Sequence, residues 1–529
     1  MRTVKYLRDA RHLEKGLYAL TNELFYEPFE GHYEPSPEYL TLVRDLLKGM
    51  AAKWLIGRNG LWYHAHPVGH RLPMQGWKIH VSATIENGPS ILGRAARIAG
   101  ANGVSFKFAL DRKVLAMMSS KSWHRGRSGK FITMYPEDLS CFKNLMEQLY
   151  AELREDHGPY ILSDKRYKDC RVLYYRYGGV ERNTELDITG EKILVMVSPS
   201  GETMRDVRSS YFNLPPWETD PFPTEKAPPR ELTLNAGRYL VKKALGFSNS
   251  GGVYLVEDRH TGADVVVKEA RAHTAMDGPG SDAIQRLKKE EQIFELLRDT
   301  HITPAPVESF QDWEHFFLAE EFVSGRDIRE LMLTRSPLMR VNPTLKDTTE
   351  FYETFRTLFK NFVQALEILH QNGVVLGDLS ASNIKIDPST YAVRLIDFEG
   401  AFRPGVDVPT NLYTPGFRNP LHENKKIQNF EDDLYGMAAI MFYIMFPIPT
   451  LSAQRPDLFQ TVLPIVLKDI GWEQTEVSSI ISGLAKNEIT CARVRELLDR
   501  PAQIQPPGYA ADIESDSCNK LAQELGSFI

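Results

Sequence analysis

A proline-rich break near the middle of the chain sets the main limit on how it can fold. The stretch "PPWETDPFPTEKAPPR", residues 215–230, holds six prolines, which lack the backbone donor that helices and central strands need. A chain of 529 residues is also too long for one hydrophobic core. We therefore expect two main domains, residues 1–215 and 236–500, joined by a linker over 216–235. A second break at "RPAQIQPPG" leaves a tail, residues 501–529.

The composition excludes several classes of protein. Hydrophobic residues make up 42% of the chain and charged residues 25%, as in an ordinary soluble globular protein. The net charge of −6 argues against a general nucleic-acid binder. The start, "MRTVKYLRDARHLEKG", lacks the apolar core of a signal peptide. The apolar run from Met437 to Pro449 is too short to span a membrane, so we expect a buried helix there.

The cysteines indicate neither a disulfide framework nor a metal site. The four residues are Cys141, Cys170, Cys491 and Cys518. They form no CxxC pair, and no histidines follow at a spacing suited to zinc. Such cysteine usage is typical of a reducing compartment, so we expect a cytoplasmic protein.

A glycine-rich segment at the start of the second domain suggests a phosphate site. Residues 245–268, "LGFSNSGGVYLVEDRHTGADVVVK", are typical of three strands with a glycine-containing turn after the first. Gly246, Gly251 and Gly252 allow backbone amides to approach phosphate oxygens closely. Lys268 ends the third strand, where its amine could reach the same phosphates. Because many hairpins share this pattern, it needs support from elsewhere in the chain.

That support comes from polar residues further along. In "ILHQNGVVLGDLSASNIKID", Asp378 and Asn383 lie between a helix and a short strand, and "VRLIDFEGA" places Asp397 at the end of another strand. Phosphoryl transfer needs an acid to orient the attacking hydroxyl, and an amide and a carboxylate to hold Mg²⁺. The order and spacing match the protein-kinase pattern. Glu290, in "IQRLKKEEQIFELL", is the expected ion-pair partner of Lys268.

The kinase pattern departs from its common form at two places. The usual His-Arg pair before the catalytic aspartate is Leu376 and Gly377, which removes the arginine that commonly anchors an activation-loop phosphate. The usual Asp-Phe-Gly ends in Glu399, which moves the glycine to Gly400. The stretch "GDLSASN" also resembles small-molecule kinases of the aminoglycoside phosphotransferase type. Asp378, Asn383, Asp397 and Lys268 are all present, so we expect an active kinase. We also expect Asp433 to brace the catalytic loop.

The first domain carries a lysine and a histidine on one strand face. In "GWKIHVSATIENG", Ile79 and Val81 alternate with Lys78 and His80, which is typical of a half-buried strand. The simplest interpretation is a solvated strand face. A second interpretation follows if this domain acts on the product of the kinase, because a phosphoserine has an acidic α-proton and a good leaving group. Lys78 would then be the base and His80 the acid of an elimination.

Further charged residues occur in nearby strand-like stretches. Burying a basic side chain there costs free energy unless it contacts an anion. These residues are Lys107, Lys121, Arg125, Arg127, Lys130 and Arg176, with Asp164 in the same region.

These stretches resemble the lyase and kinase portions of a class III, or class IV, lanthipeptide synthetase. The resemblance is carried by "GWKIHVSAT", "FKF", "SGKFITMYP", "GPYILSDKRYKDC", "YYRYGG" and "DVRSSYFNLPPWETDPF", followed by the kinase motifs in the family's order. It implies a multidomain α+β fold, in which a phosphothreonine-lyase-like domain precedes a bilobal protein-kinase-like domain.

The resemblance also implies roles for single residues of the first domain. Lys78 would be the base and His80 the acid, while Asp164 would brace an arginine. Phosphate contacts are implied for Lys107, Lys130 and Arg176. More than one alignment fits the remaining basic positions, which are Lys121, Arg125, Arg127 and Arg182.

The expected function is the dehydration of a ribosomal precursor peptide. The kinase would phosphorylate Ser or Thr with ATP or GTP and Mg²⁺, and the lyase would eliminate the phosphate without a cofactor. The expected partners are the precursor peptide and a cyclase domain or protein, with neither nucleic acid nor membrane. The alternative is a Ser/Thr or small-molecule kinase whose first domain only binds a phosphorylated partner. The tail "ESDSCNKLAQELGSFI" is predicted to form an amphipathic helix at the beginning of a cyclase domain.

Overall fold

A computed structural model describes most of the chain as two compact units. The described residues are 33–508 except 182, 187–189, 191, 208, 225–230, 277–281, 411, 420–428, 449–454 and 456. The first unit comprises Met1–His260, Lys268–Gln285 and Phe310–Phe317, and the second comprises Thr261–Val267, Arg286–Ser309 and Leu318–Ile529. Arg182 and the predicted helix of the tail lie outside the described residues.

The first unit is built on a seven-stranded antiparallel sheet in the order β1-β2-β4-β5-β3-β7-β6. Its strands are β1 (Trp54–Asn59), β2 (Trp62–Pro67), β3 (Gln75–Val81), β4 (Phe106–Ala109), β5 (Ile132–Met134), β6 (Lys165–Arg166) and β7 (Leu173–Gly179). Its helices are α1 (Glu38–Lys48), α2 (Gly88–Ala101), α3 (Arg112–Met118) and α4 (Leu139–Leu153). The core between sheet and helices is rich in aromatic side chains, among them Phe106, Phe108, Phe131 and Phe142.

Short polar side chains define where these helices begin. The carboxylate of Asp111 accepts a hydrogen bond from the backbone N–H of Val114 at 2.9 Å, and this bond caps α3. Asp138 caps α4 in the same way, through the N–H of Cys141 at 2.8 Å. These caps define where α3 and α4 begin.

Two further sheets complete the strand content of residues 184–321. A small sheet consists of β8 (Thr184–Leu186), β9 (Lys192–Val197) and β10 (Thr203–Arg205). A six-stranded sheet follows in the order β11-β12-β13-β14-β16-β15. Its strands are β11 (Thr233–Leu234), β12 (Tyr239–Ser248), β13 (Gly251–Asp258), β14 (Asp264–Ala270), β15 (Pro306–Asp312) and β16 (His315–Glu321). The predicted strand, turn and strand correspond to β12, residues 249–250 and β13, but the turn contains no glycine because Gly251 and Gly252 begin β13.

The second unit is mainly helical. Its helices are α5 (Ala283–Leu296, from Arg286 onward), α6 (Ile328–Leu333), α7 (Leu345–Gln371), α8 (Phe430–Met445), α9 (Leu458–Thr461), α10 (Leu463–Asp469), α11 (Val477–Ala485) and α12 (Cys491–Leu498). A small sheet contains β17 (Arg326–Asp327), β18 (Ile384–Ile386) and β19 (Val393–Leu395). Thr344 and Asp347 form a capping box that begins α7, and Gly373, with a φ of 71°, follows its end.

The predicted buried helix at Met437 is confirmed as α8, whose residues from Asp432 to Met445 are all buried. In the part of the chain that the structure describes, no helix is long and apolar enough to cross a membrane.

Candidate active sites

Polar side chains share one face of the seven-stranded sheet. In antiparallel pairs, directly opposed residues point to the same side. Across the sheet the opposed residues are, in order, His64, Lys107, Thr133, His80 and Tyr174. Two residues before His80 on β3, Lys78 lies opposite Arg176 on β7. The strand pairing therefore gathers basic side chains from four strands that are distant in sequence.

The solvated interpretation of this face is wrong. Lys78 is only 9% exposed and His80 only 4%, while Ile79 and Val81 on the other face are fully buried. The strand is covered on both sides because β3 is central in the sheet and the chain before β6 brings Asp164 against His80. Burying an amine and an imidazole carries a desolvation cost that charged or hydrogen-bonding partners must offset.

A buried carboxylate orients the imidazole of His80. Oδ2 of Asp164 lies 2.5 Å from Nδ1 of His80, and Oδ1 lies 3.0 Å from Nζ of Lys130. The hydroxyl of Ser163 donates a further hydrogen bond to Oδ1 at 2.7 Å. Burial alone would raise the pKa of Asp164, but His80 and Lys130 outweigh it and hold that pKa well below its usual range. Asp164 is therefore ionised and can only accept hydrogen bonds.

The same environment keeps His80 neutral. Burial lowers the pKa of His80 to about 3, although Asp164 acts in the opposite direction. Since the Asp164 carboxylate is an acceptor, the single proton of the neutral ring lies on Nδ1. Nε2 is then left without a proton at physiological pH. This tautomer is the one in which Nε2 can take up a proton from a ligand or pass one on.

A second carboxylate supports the arginine beside Lys78. Asp206 accepts a hydrogen bond from Nη2 of Arg176 at 2.8 Å and one from the backbone N–H of Gly179 at 3.3 Å. Nζ of Lys78 donates to the carbonyl of Gly179. A Cβ atom at Gly178 would lie 3.1 Å from Nη2 of Arg176 and 3.4 Å from Nζ of Lys78, so glycine leaves room for both cations. The arginine is thus braced by Asp206, whereas the expected brace, Asp164, contacts His80 and Lys130.

Lys107 and His64 extend the basic face toward β2. The ammonium of Lys107 lies 4.3 Å from the ring centroid of Trp62, a cation–π contact. Burial, followed by the nearby charge of Lys107, lowers the pKa of His64 to about 4. Between Lys107 and His80, the buried hydroxyl of Thr133 makes no hydrogen bond to any described residue. The face therefore combines cations with a hydroxyl that can donate to an anion.

The other predicted phosphate contacts lie in the loop before β5. Arg127 is exposed, and the guanidinium of Arg125 lies 4.2 Å from the ring centroid of Phe247 in the glycine-rich segment. The carbonyl of Lys121 accepts a hydrogen bond from the backbone N–H of Asn249 at 3.0 Å. These contacts place Lys121 and Arg125 against the glycine-rich segment, while contacts or strand pairing join Lys78, His80, Lys130, Asp164 and Arg176 to one another.

The glycine-rich segment is a hairpin in the first unit. A Cβ atom at Gly251 would lie 1.7 Å from the carbonyl oxygen of Glu269, so only glycine fits this close approach of two strands. Gly252 lies opposite Phe247 across the hairpin, and Gly246 has open space around it. Lys268 lies on β14 in the same unit. The predicted hairpin is present, whereas Lys268 lies two residues before the end of β14 rather than at its end.

The catalytic loop of the second unit holds the predicted aspartate in place. Thr414 Oγ1 donates a hydrogen bond to Oδ1 of Asp378 at 2.8 Å. Asn383, on a 3₁₀ turn, donates through Nδ2 to the carbonyl of Asp378 at 3.4 Å. Asp378 and Asn383 therefore adjoin, as their spacing predicted. Thr414 has no place in the predicted motifs and was missed.

The carboxylate of Asp433 braces this loop from α8. It accepts hydrogen bonds from the backbone N–H groups of Leu376 at 2.8 Å and Gly377 at 3.0 Å. His370 lies 3.0 Å from the same carboxylate. The bracing role predicted for Asp433 is confirmed. Asp433 does not take the place of the missing histidine and arginine side chains, because it contacts backbone N–H groups.

The Asp-Phe-Glu segment is anchored to α5. Asp397 has a φ of 64°, a left-handed conformation that costs energy outside glycine and often marks a functional site. Glu290 accepts a hydrogen bond from the backbone N–H of Phe398 at 2.7 Å. Nε of Arg286 lies 2.9 Å from Oε1 of Glu399. A carboxylate at Asp397 and an amide oxygen at Asn383 are ligand types that suit Mg²⁺.

Two sequence families match the chain. The family described as "RamC, N-terminal domain" matches residues 44–233, and the family described as "Protein kinase domain" matches residues 239–501. The chain therefore matches a RamC N-terminal domain followed by a protein kinase domain. A protein kinase domain implies the use of a nucleotide and Mg²⁺.

Individual relatives place the chain more narrowly. The probable SapB synthase of Streptomyces coelicolor is 34% identical over 402 residues, which cover 76% of this chain and 43% of the relative. The match with the lyase and kinase portions of a class III lanthipeptide synthetase is thereby confirmed. Serine/threonine-protein kinase D of Synechocystis is 25% identical over 263 residues, 47% of each chain. PknB of Mycobacterium tuberculosis is 24% identical over 294 residues, 51% of this chain and 44% of the relative. The chain thus spans less than half the length of these relatives.

Proposed function

We propose that this chain dehydrates Ser and Thr residues of a ribosomal precursor peptide in two steps. The kinase domain transfers phosphate to the hydroxyl, and the first domain then eliminates that phosphate to give dehydroalanine or dehydrobutyrine. The observation that carries the proposal is the buried basic face of the seven-stranded sheet. Lys78, His80, Lys130 and Arg176 are each at most 9% exposed there, and such a concentration of buried basic groups favours a multiply charged anion.

The elimination needs a base and an acid at neighbouring positions. Lys78, in its neutral form, removes the α-proton, and the electron pair of the Cα–H bond forms the Cα–Cβ double bond. The Cβ–O bond breaks, and the departing phosphate takes a proton from His80. Arg176 and Lys130 bind the phosphate oxygens, while Lys107 and Thr133 lie where they extend this binding to the far side of His80.

His80 has to acquire the proton that it donates. Burial keeps the ring neutral and lowers its pKa to about 3. A phosphate dianion next to Nε2 favours the imidazolium, because an opposite charge nearby stabilises the charged form. Asp164 stabilises the same imidazolium through Nδ1 at 2.5 Å. The substrate therefore brings His80 into its acidic form, and Asp164 fixes the ring while the proton moves.

The phosphorylation step is assigned to the protein kinase domain, residues 239–501. Asp378 orients the substrate hydroxyl and accepts its proton, and Thr414 holds the Asp378 carboxylate through its hydrogen bond at 2.8 Å. Asn383 and Asp397 would hold Mg²⁺, which neutralises phosphate charge when it is bound. Lys268 and the glycines at 246, 251 and 252 are the proposed contacts of the nucleotide, which is ATP or GTP. Glu290 is the proposed partner of Lys268.

The proposed partners follow from the same chemistry. Dehydrated residues are electrophiles, so a cyclase domain or protein would add the cysteine thiols of the peptide to them. Because the precursor is made by the ribosome, we place the reaction in the cytoplasm. Arg125, Arg127, Lys121 and Arg182 remain candidates for contacts with the phosphorylated peptide.

The mass of the product tests the proposal. The full chain is incubated with a synthetic serine-containing precursor peptide, Mg²⁺, and ATP or GTP in parallel reactions. The expected product has lost one water for each modified residue. A product that only gains phosphate would support the alternative, a kinase with a phospho-partner-binding domain. A peptide that stays unchanged with both nucleotides would contradict the proposed phosphorylation.

A further inference from the structure

The helix α5 contacts the Asp-Phe-Glu segment at two successive turns. Glu290 accepts a hydrogen bond from the backbone N–H of Phe398 at 2.7 Å. One turn earlier, Arg286 forms an ion pair with Glu399, at 2.9 Å between Nε and Oε1. Residues four apart lie on the same face of a helix, so both contacts come from one side of α5. The helix is thereby tied to two consecutive residues that follow Asp397.

The Arg286–Glu399 pair is shielded from water. Only 1% of the Arg286 side chain and 17% of the Glu399 side chain is exposed. A buried guanidinium is stable only with a counter-charge, and removal of one partner leaves the other charge uncompensated. Glu399 supplies a counter-charge for Arg286 in this position. The ion pair also gives a physical reason for the glutamate at a position where the protein-kinase motif has glycine.

The glycine of the motif is shifted by one residue and keeps a tight contact. A Cβ atom at Gly400 would lie 2.9 Å from Cβ of Asp378 and 3.2 Å from its backbone nitrogen. The segment thus packs against the catalytic loop through Gly400, while Glu399 contacts Arg286 on α5. The one-residue shift accommodates both contacts.

The catalytic loop lacks the usual anchor for an activation-segment phosphate. The residue before Asp378 is Gly377, so no guanidinium precedes the catalytic aspartate. In the described part of the following segment, the hydroxyl of Thr414 is engaged by Asp378 at 2.8 Å. The hydroxyl of Thr410 is buried and donates to the carbonyl of Gly400 at 3.2 Å. Both hydroxyls therefore stabilise the segment through hydrogen bonds without being phosphorylated.

We propose that Arg286 and Glu399 are positioning residues that hold α5 and Asp397 in the arrangement needed for phosphoryl transfer. Because the pair is part of the fold, transfer does not depend on phosphorylation of the chain itself. The proposal rests on the kinase activity proposed above. Loss of either charge would release α5 from the segment and displace Glu290 and Asp397 together. A displacement of about 1 Å at such a site lowers turnover by roughly 100-fold.

The test uses the full chain and the variants Glu399→Gln and Arg286→Glu with Glu399→Arg. The matched control is Glu321→Gln, which removes a more exposed ion pair with Arg394 elsewhere in the second unit. We expect Glu399→Gln to lower kcat for peptide phosphorylation roughly 10- to 100-fold with a smaller change in nucleotide KM. The reversed pair should recover part of the loss, and Glu321→Gln should match the original chain. Phosphatase treatment of the original chain should leave its rate unchanged.

Two further measurements separate the possible failures. Elimination from a synthetic phosphoserine peptide, without nucleotide, should be the same in all variants and reports on correct folding of the first domain. Hydrogen exchange of α5 amides should be faster in Glu399→Gln than in the original chain, and this readout needs no kinase activity. A wild-type chain that does not phosphorylate peptide refutes the proposed function. Unchanged kcat and unchanged α5 exchange in Glu399→Gln, or a wild-type rate lost on phosphatase treatment, refute the positioning role.

Discussion

The two candidate sites hold their reacting groups in different ways. On the seven-stranded sheet, His80 is oriented by Asp164 in the chain before β6, and Lys78 lies opposite Arg176 on β7. In the catalytic loop, Asp378 is supported by the side chain of Asn383 in the same loop and by the hydroxyl of Thr414 further along the chain. The site on the sheet depends on the pairing register of strands that are far apart in the sequence. The spacing of Asp378 and Asn383 depends on a short motif within one loop.

The two sites also differ in how their charged groups are stabilised. The sheet site buries ionised groups that compensate one another, so removal of one partner disturbs the others. The catalytic loop is held largely by hydrogen bonds between one buried carboxylate, Asp433, and backbone donors. Substitutions in the sheet site should therefore change protonation as well as geometry. Substitutions in the loop should remove one chemical function and leave the surroundings intact.

The largest expected effect is the loss of phosphorylation in loop variants. Asp378→Asn removes the carboxylate that orients the hydroxyl, and Asp397→Asn removes a proposed Mg²⁺ ligand, so each should lower peptide phosphorylation by roughly 100-fold or more. Both variants should still eliminate phosphate from a synthetic phosphoserine peptide, since that reaction belongs to the sheet site. Phosphorylation is followed by mass spectrometry. A combined yield of phosphorylated and dehydrated peptide from either variant that equals that of the original chain would remove the roles assigned to these aspartates.

A somewhat smaller effect is expected when the brace of His80 is changed. Asp164→Asn removes the charge that orients the imidazole and compensates Lys130, so elimination should slow by roughly 100- to 1,000-fold. Ser163→Ala is the matched control, because it removes an uncharged hydrogen bond to the same carboxylate. Its elimination rate should stay within about a factor of ten of the original, as expected for one neutral hydrogen bond. Equal losses in the two variants would show that the charge of Asp164 is unimportant.

Much of the architecture could be predicted from the sequence, because it rests on local patterns. The α+β lyase-like domain followed by a kinase-like domain is confirmed, as is the buried helix α8. The spacing of Asp378 and Asn383 reflects contacts within one loop, so the motif predicts their proximity. The expected domain limits and the roles of the site residues remain predictions.

The partners across the sheet could not be predicted in the same way. Asp206 and Thr133 approach Arg176 and His80 only through strand pairing and a distant loop, and no short motif marks them. The alternation around Lys78 predicted one solvated face because a local pattern does not show what covers a strand. Asp206 is the first residue of "DVRSSYFNLPPWETDPF", one of the segments that carry the family resemblance. That segment was the feature of the sequence from which Asp206 could have been selected.

The smallest expected effect concerns stability in acid. The pKa of His64 is lowered to about 4 in the folded chain, against an ordinary value of 6.5. The folded state therefore binds fewer protons, and the stability linked to neutral His64 is present above pH 6.5 and lost as the pH falls toward 4. His64→Gln should remove this loss, which amounts to at most about 2 kcal/mol after allowance for partial exposure.

The measurement for His64 is the urea midpoint of unfolding at pH 7 and at pH 5, followed by the fluorescence of the first unit's tryptophans. His260→Gln, at an exposed histidine in the same unit, is the control. We expect the midpoint to fall less between the two pH values in His64→Gln than in the original chain or the control. Identical falls in all three proteins would contradict a depressed pKa at His64.

Elimination from a synthetic phosphoserine peptide, without nucleotide, tests the central claim most directly. The original chain should release phosphate and form dehydroalanine, while Lys78→Ala should do so roughly 100- to 10,000-fold more slowly because the base is gone. Lys143→Ala, at an exposed lysine on α4, is the control and should keep the original rate. Peptide phosphorylation with nucleotide should persist in Lys78→Ala, so that phosphopeptide accumulates. Formation of dehydroalanine by Lys78→Ala at the rate of the original chain would contradict the assignment of the sheet face as a lyase site.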